Sequence, residues 1–297
     1  MDRLGLGYAE LKKANPAIIM LSMSANGASG PEKDGKGLAA IFGALGGLSH
    51  LSGYEDGPPV EVRLPADFIS GTTACFALLS ALYYARKMGT GMRIDCSSRE
   101  AVSSFVGEAL LDAMVNGHDQ PRRGNRDTIM APHNVYPCAE TGSWISVAVG
   151  KQEEWKALCA VVGHKEWQDD VRFADQLQRW KNQDVLDDML TKWSRKRNAR
   201  DAMEVLQGAG VPATASYNAQ DLLGDPHLHD RGIFQTATEE DGQPHIMMGL
   251  PWQFSRTEPQ TPTRPPKMCE HNHYVFQELL GVSKREIQRL VKHDVIS

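Results

Sequence analysis

Residues 63–97 read RLPADFISGTTACFALLSALYYARKMGTGMRIDCS, and this stretch decides the fold. Phe68 to Met88 is rich in Ala, Leu and Phe on nearly every side, carries Arg86 and Lys87 at its end, and stops at Gly89-Thr90-Gly91. That pattern predicts a buried helix whose last-turn cations complement the helix dipole. Met92 to Ser97 predicts a strand, and 99–116 returns to helix.

Upstream, residues 17–23 (AIIMLSM) form a short apolar run after Asn15-Pro16 and enter the small-residue loop Ser24 to Pro31, which predicts strand then loop. Residues 37–49 predict a helix ending at Gly46-Gly47, and a Pro/Gly/Asp loop at 53–59 leads to Pro65-Ala66-Asp67. Strand, helix, helix, strand is half of a doubly wound, Rossmann-like α/β domain, in which strand tips carry binding loops.

Past residue 136 the texture changes. ETGSWISVAVG (140–150) predicts a strand with a polar turn, followed by amphipathic helices at 151–162, 182–194 and 198–209. Two further strands are expected at 232–238 and 244–249, then a Pro-rich crossing at 257–266 and a helical pair within 271–295. The fold class is therefore α/β, a partial doubly wound large domain plus a smaller α+β domain. The expected division is 1–116 for half of the large domain, 117–135 as linker, 136–249 for the small domain, and 250–297 returning to the large one.

Composition narrows the function. The net charge of -5 and the absence of any basic block longer than Arg195-Lys196-Arg197, read as a solvated helix face, argue against nucleic acid as a partner. Five scattered cysteines, no two at CxxC spacing, suggest a reducing compartment and no structural zinc. No stretch is read as apolar enough to span a bilayer, and nothing after Met1 resembles a signal peptide, so the expected location is cytoplasmic with no membrane partner.

Several chemistry-bearing patterns fail. Gly5-x-Gly7 and Gly35-x-Gly37 lack the third glycine and the preceding strand of a dinucleotide fingerprint. His227-x-His229 and His271-x-His273 are read as lying in polar loops without a zinc-ligand pattern, so no metal is expected. Ser24, Ser29 and Ser70 do not sit in a nucleophile elbow.

One pattern holds. Arg63-Leu-Pro-Ala-Asp67-Phe-Ile-Ser-Gly71, the Ala/Leu-rich helix, and Thr90-Gly-Met-Arg-Ile-Asp95 together resemble the class III CoA-transferase family (CaiB/BaiF, formyl-CoA transferase-like), which also includes the α-methylacyl-CoA racemases. Ser22 to Pro31, Gly46-Gly47, Ala131 to Pro137, Gly210-Val-Pro212, Asp225-Pro226, Arg231-Gly232 and Glu270-His271-Asn272 continue the resemblance in order.

The resemblance implies an acyl-CoA:carboxylate CoA-transferase. Asp67 would attack a CoA thioester to give a mixed anhydride, and the thiolate would then form an aspartyl-CoA thioester. CoA is a substrate here and no cofactor is implied. The acyl group is expected to be dicarboxylic, aromatic or otherwise hydrophobic. A carboxylate in the first turn of a helix suits a covalent nucleophile, although Asp there is equally a helix cap on local grounds.

Ser24, Ala25, Asn26 and Gly27, with Ser70 to Thr72, are candidates for bringing main-chain amides to the thioester oxygen. His133, Asn134 and Tyr136, read as a loop, are candidates for shaping acyl specificity. The resemblance also implies an interlocked homodimer or pairing with a related subunit.

In the family a further nucleotide-binding half, whose basic residues hold the CoA phosphates, precedes the region that residue 1 begins. It spans roughly a hundred residues by domain size, and residues 1–16 do not correspond to it. A non-catalytic partner subunit is accordingly an alternative. A 2-methylacyl-CoA racemase is another, weakened because Leu38-Ala39 stand where that branch carries its His.

Overall fold

The computed structural model describes residues 1–238, 243–257 and 266–296. The chain divides into two compact units, 1–216 and 217–297.

The first unit opens with α1 (Tyr8–Ala14), β1 (Met20–Ser24), α2 (Ala39–Leu45), α3 (Leu48–Leu51), α4 (Leu64–Met88), β2 (Arg93–Ser97), α5 (Ser98–Phe105) and α6 (Gly107–Asn116). Strands β1 and β2 pair in parallel, Met20 opposite Arg93 and Ser24 opposite Ser97. Gly91 is required at the start of this pair, because a Cβ there would collide with the main-chain carbonyl of Ile18. The single helix expected over 37–49 is two, broken where Gly47 takes φ 88°, a conformation side chains oppose.

Helix α4 starts with Pro65 in its first turn and ends at Gly89 in the left-handed conformation. It is not the buried helix its composition suggests. Its small side, Ala66, Ser70, Ala74, Ala81 and Ala85, is buried, while Phe68, Phe76 and Tyr83 are 69%, 76% and 72% exposed. Small residues let the backbone lie close to its neighbours and leave the bulky ones outside.

Among the described residues α4 is also long and apolar enough, by length and composition, to cross a membrane, which corrects the sequence reading. Ser, Thr, Gly and Tyr interrupt the apolar count over 68–85 but add no charge.

The unit continues through β3 (His133–Pro137), β4 (Trp144–Ala148), α7 (Gln152–Val162), α8 (Gln176–Lys181), α9 (Gln183–Ser194), α10 (Ala199–Gly208) and β5 (Ala213–Ala215). The sheet order is β3-β4-β5, antiparallel throughout. Its inner face packs Ile145, Val147 and Val149 against Trp155, Leu158, Leu186, Leu190 and Leu206. The ring of Trp155 lies 6.5 Å from Trp167 and 5.7 Å, edge-on, from Phe173.

Helix α9 ends at Ser194, so Arg195 to Arg197 follow the helix instead of lining it. Arg195 and Lys196 are exposed as expected, while half-buried Arg197 lies over the Trp193 ring at 4.3 Å and donates to its carbonyl.

The second unit contains α11 (Ala219–Leu223), α12 (Pro226–Asp230), the antiparallel pair β6 (Phe234–Thr238) and β7 (Pro244–Met248), a π-helical segment His273–Leu279, and α13 (Lys284–Lys292). His227 and His229 lie on helix α12, not in a loop, and His229 Nε2 is 2.7 Å from the Leu223 carbonyl oxygen. Most of the Pro-rich crossing at 257–266 lies outside the described residues.

Candidate active site

Asp67 is the fourth residue of α4, whose capping position is Arg63. It is therefore in the first turn without being the cap. Its side chain is exposed, and its carboxylate has no hydrogen-bond or ion partner among the described residues. The positive end of the helix dipole favours an anion there, weakened by solvent.

Neighbouring Ala66 is wholly buried in a small cluster with Phe42 and Val102, against which Ala25, Ala39, Leu48 and Ile69 pack. Ala25 belongs to the loop after β1. The cluster thus joins the Ser24–Gly27 loop to the turn of α4 that carries Asp67. Gly37 is needed here, since a Cβ would come within 2.5 Å of the Ala25 Cβ.

The loop is pinned from β2. The Asp95 carboxylate accepts from the Ala28 amide with both oxygens at 3.0 Å, and the Arg99 amide donates to the Ala25 carbonyl at 2.9 Å. Gly27 takes φ 81°, directly above Ser97 and Asp95. Asn26 donates to the Glu32 carbonyl, while its own side-chain oxygen is buried without a partner. Such an acceptor is costly to leave unpaired and marks the loop as a place for a donor.

The second proposed source of amides does not survive. Ser70 to Thr72 lie inside α4, where their N–H groups are engaged in the helix, and the hydroxyls of Ser70 and Thr72 turn back to the carbonyls of Ala66 and Phe68 at 2.8 Å.

His133, Asn134 and Tyr136 stand on strand β3, not on a loop. Tyr136 is buried and donates to Asp187 at 2.8 Å, and the Asn134 amide donates to the other oxygen at 2.9 Å. Arg126 reaches the same oxygen at 2.7 Å and Asp184 at 2.5 Å. Burial first, and then the Asp187 charge, hold the Tyr136 phenol well above its usual range, so it serves as a donor. His133 Nδ1 meets the Asn125 carbonyl at 2.8 Å.

Buried Arg179 supports this strand from behind, donating to the Ala131 carbonyl at 3.1 Å, to Gln152 and Gln176, and to the Phe173 carbonyl. Two clefts flank β3. One of about 620 Å³ is lined by His133, Asn134, Ser146 and Thr214. The other, about 580 Å³, lies between Tyr54–Asp56, the segment 121–127, Asn134 and Trp180.

Sequence reasoning did not single out Asp95, Arg126, Asp187 or Arg179. Asp95 lay inside the quoted motif, and its acidic side chain at a strand tip was an available signal. Asp187 and Arg126 meet across some sixty positions, for which no local pattern exists.

Residues 1–272 match the pattern of CoA-transferase family III. The chain belongs to CoA-transferase family III. Its activity class is accordingly CoA transfer. It is 29% identical over its whole length to succinyl-CoA–D-citramalate CoA-transferase of Chloroflexus aurantiacus, covering 74% of that protein. It is 27% identical, again over its whole length and 74% of the relative, to the succinyl-CoA–L-malate CoA-transferase beta subunit of the same organism.

A crystal structure of a CaiB/BaiF family protein from Brucella suis superposes with a TM-score of 0.82 at 26% identity, over 94% of this chain and 72% of that one. The α/β architecture expected from 63–97 is that of the family. Among the described residues no group of His, Cys, Asp and Glu is arranged to hold a metal.

Proposed function

We propose that the protein exchanges CoA between an acyl-CoA and a free carboxylic acid with Asp67 as the nucleophile. The observation that supports this most directly is Asp67 itself. It is an exposed carboxylate with no partner among the described residues, set in the first turn of α4 and tied through Ala66 and Ala25 to a glycine-containing loop.

An Asp67 oxygen attacks the thioester carbonyl, the C–S bond breaks, and CoA thiolate leaves from a mixed anhydride. The thiolate attacks the aspartyl carbonyl, which releases the donor acid and leaves an aspartyl-CoA thioester. The acceptor carboxylate attacks that thioester and breaks its C–S bond, giving a second mixed anhydride and free thiolate. The thiolate then attacks the acceptor acyl carbon, forming the new acyl-CoA and releasing the Asp67 carboxylate. Ser24 to Gly27 supply close main-chain approach to the oxyanion.

The acids are proposed to be small dicarboxylates, because succinyl, citramalate and malate name the reactions of the relatives. A second chain, identical or related, is proposed to cover the bulky side of α4. Support comes from the exposure of Phe68, Phe76 and Tyr83 and from a relative that is one subunit of a heteromeric enzyme. As in the sequence reading, the cytoplasm is the proposed location.

Incubation with succinyl-CoA followed by hydroxylamine should convert Asp67 to the hydroxamate, read by peptide mass spectrometry, and Asp67→Ala should give neither label nor turnover. Label elsewhere in an active Asp67→Ala protein would sink the proposal. Sedimentation analysis of the purified chain tests self-association, and a monomer at all concentrations would refute the identical-chain form of the assembly.

A further inference from the structure

The segment Pro121–Arg126 brings three guanidinium groups to the 580 Å³ cleft, and two are spent on the fold. Arg122 donates from Nε, one terminal nitrogen and the other to the carbonyls of Tyr54, His50 and Gly57 at 3.2, 3.4 and 3.0 Å, and so fastens the 50–57 loop. Arg126 is held by Asp184 and Asp187. Arg123, half-buried between them, makes no side-chain hydrogen bond or close ion pair among the described residues, and its charge acts on Asp127 only through space.

The cleft acid beside it is also spent, since Asp127 accepts from the amides of Ile129 and Met130 at 2.8 Å. Asn125 and Trp180 are likewise fixed, by Tyr54 and by the Asp127 carbonyl. Arg123 is thus a fork of donors left open in a cleft whose other polar groups are engaged.

A guanidinium pairs through two parallel hydrogen bonds with a carboxylate or a phosphate. The acidic rim of Glu55 and Asp56 opposes the more highly charged phosphate more strongly, which favours the carboxylate. We propose that Arg123 binds the free carboxylate of a dicarboxylic substrate, the end that never joins CoA. This rests on the reading of the protein as a transferase of dicarboxylic acids, though not on Asp67 as its nucleophile. Exposed Glu55 and Asp56 at the cleft rim oppose a dianion and limit its affinity.

The test titrates succinate and butyrate, of equal chain length, into wild type, Arg123→Gln, Arg123→Lys and Glu55→Gln/Asp56→Asn. Loss of a charge-assisted pair should weaken succinate by about 10- to 100-fold in Arg123→Gln, with Arg123→Lys between and butyrate unmoved. The rim double variant should tighten succinate. In turnover, Arg123→Gln should raise the succinate KM with kcat kept.

Wild type that takes up no succinate, succinate binding unchanged in Arg123→Gln, or equal losses for succinate and butyrate would each overturn the assignment. Hydroxylamine labelling of Asp67 in Arg123→Gln at saturating acyl-CoA separates the two readings. A wild type that discriminates succinate through Arg123 yet never labels Asp67 would refute the nucleophile and leave Arg123 standing.

Discussion

Replacing Asp187 by alanine strips three partners at once: the Tyr136 hydroxyl, the Asn134 amide and the Arg126 guanidinium. Tyr136 is only 2% exposed, so its orphaned hydroxyl costs about 1 to 3 kcal/mol, and the half-buried Asn134 amide about 1 more. Arg126 is 33% exposed and keeps Asp184, so its share is screened and stays at or below about 1 kcal/mol. The total is about 2 to 5 kcal/mol, a drop of roughly 4 to 20 °C in melting temperature for a unit of this size.

Calorimetry of Asp187→Ala, Tyr136→Phe and the double variant tests the reasoning through the sign of one term. Tyr136→Phe alone should destabilise by about 1 kcal/mol. In the Asp187→Ala background it should stabilise, because it removes the orphan. Simple additivity of the two losses, or an Asp187→Ala protein within about 1 kcal/mol of wild type, would refute the proposed network.

Gly46→Ala should cost about 1 to 3 kcal/mol, since the new methyl meets Val102 at 2.6 Å and the Phe42 carbonyl at 2.9 Å, and urea unfolding would read it. Native protein at pH 8 should yield Cys269 rapidly to a thiol reagent, and Cys75 only where no second chain covers α4, while Cys96, Cys138 and Cys159 react only on unfolding. Burial raises all three buried thiols, Cys159 up to about 12. Hydrogen bonds from Asn116, His118 and Gln120 hold Asp112 at about 2 against an ordinary 3.8. Its contribution is whole above 3.8 and is lost as pH falls towards 2, so carboxyl NMR should place its midpoint near 2, and Asp112→Asn should flatten stability across that window.

Much of this architecture was legible because local physics and global fold agree. Helices α7, α9 and α10 lie within about a residue of their sequence-predicted ends. Amphipathic spacing sets their faces, while Asn198 caps α10 and Glu154 returns to the first turn of α7. Exposure of α4 was not legible, because a segment apolar on nearly every side looks buried whether or not something covers its bulky side. The candidate nucleophile was visible only through its extended motif. Its surroundings were not, since the contact of Ala25 with the Ala66 cluster and the meeting of Arg126 with Asp187 are long-range pairings that leave no periodic trace.

The parallel pairing of β1 with β2 has a kinetic side. Asp67 lies on the crossover that runs from Ser24 to Arg93, so the helix carrying it can form early while the loop it must face waits for that long chain to close. Closing such a loop is an entropic toll collected before any native contact offsets it, and high contact order slows folding. The proposed centre for acyl transfer is therefore complete only once the sheet has closed, so activity would report completion of the sheet where helical content does not.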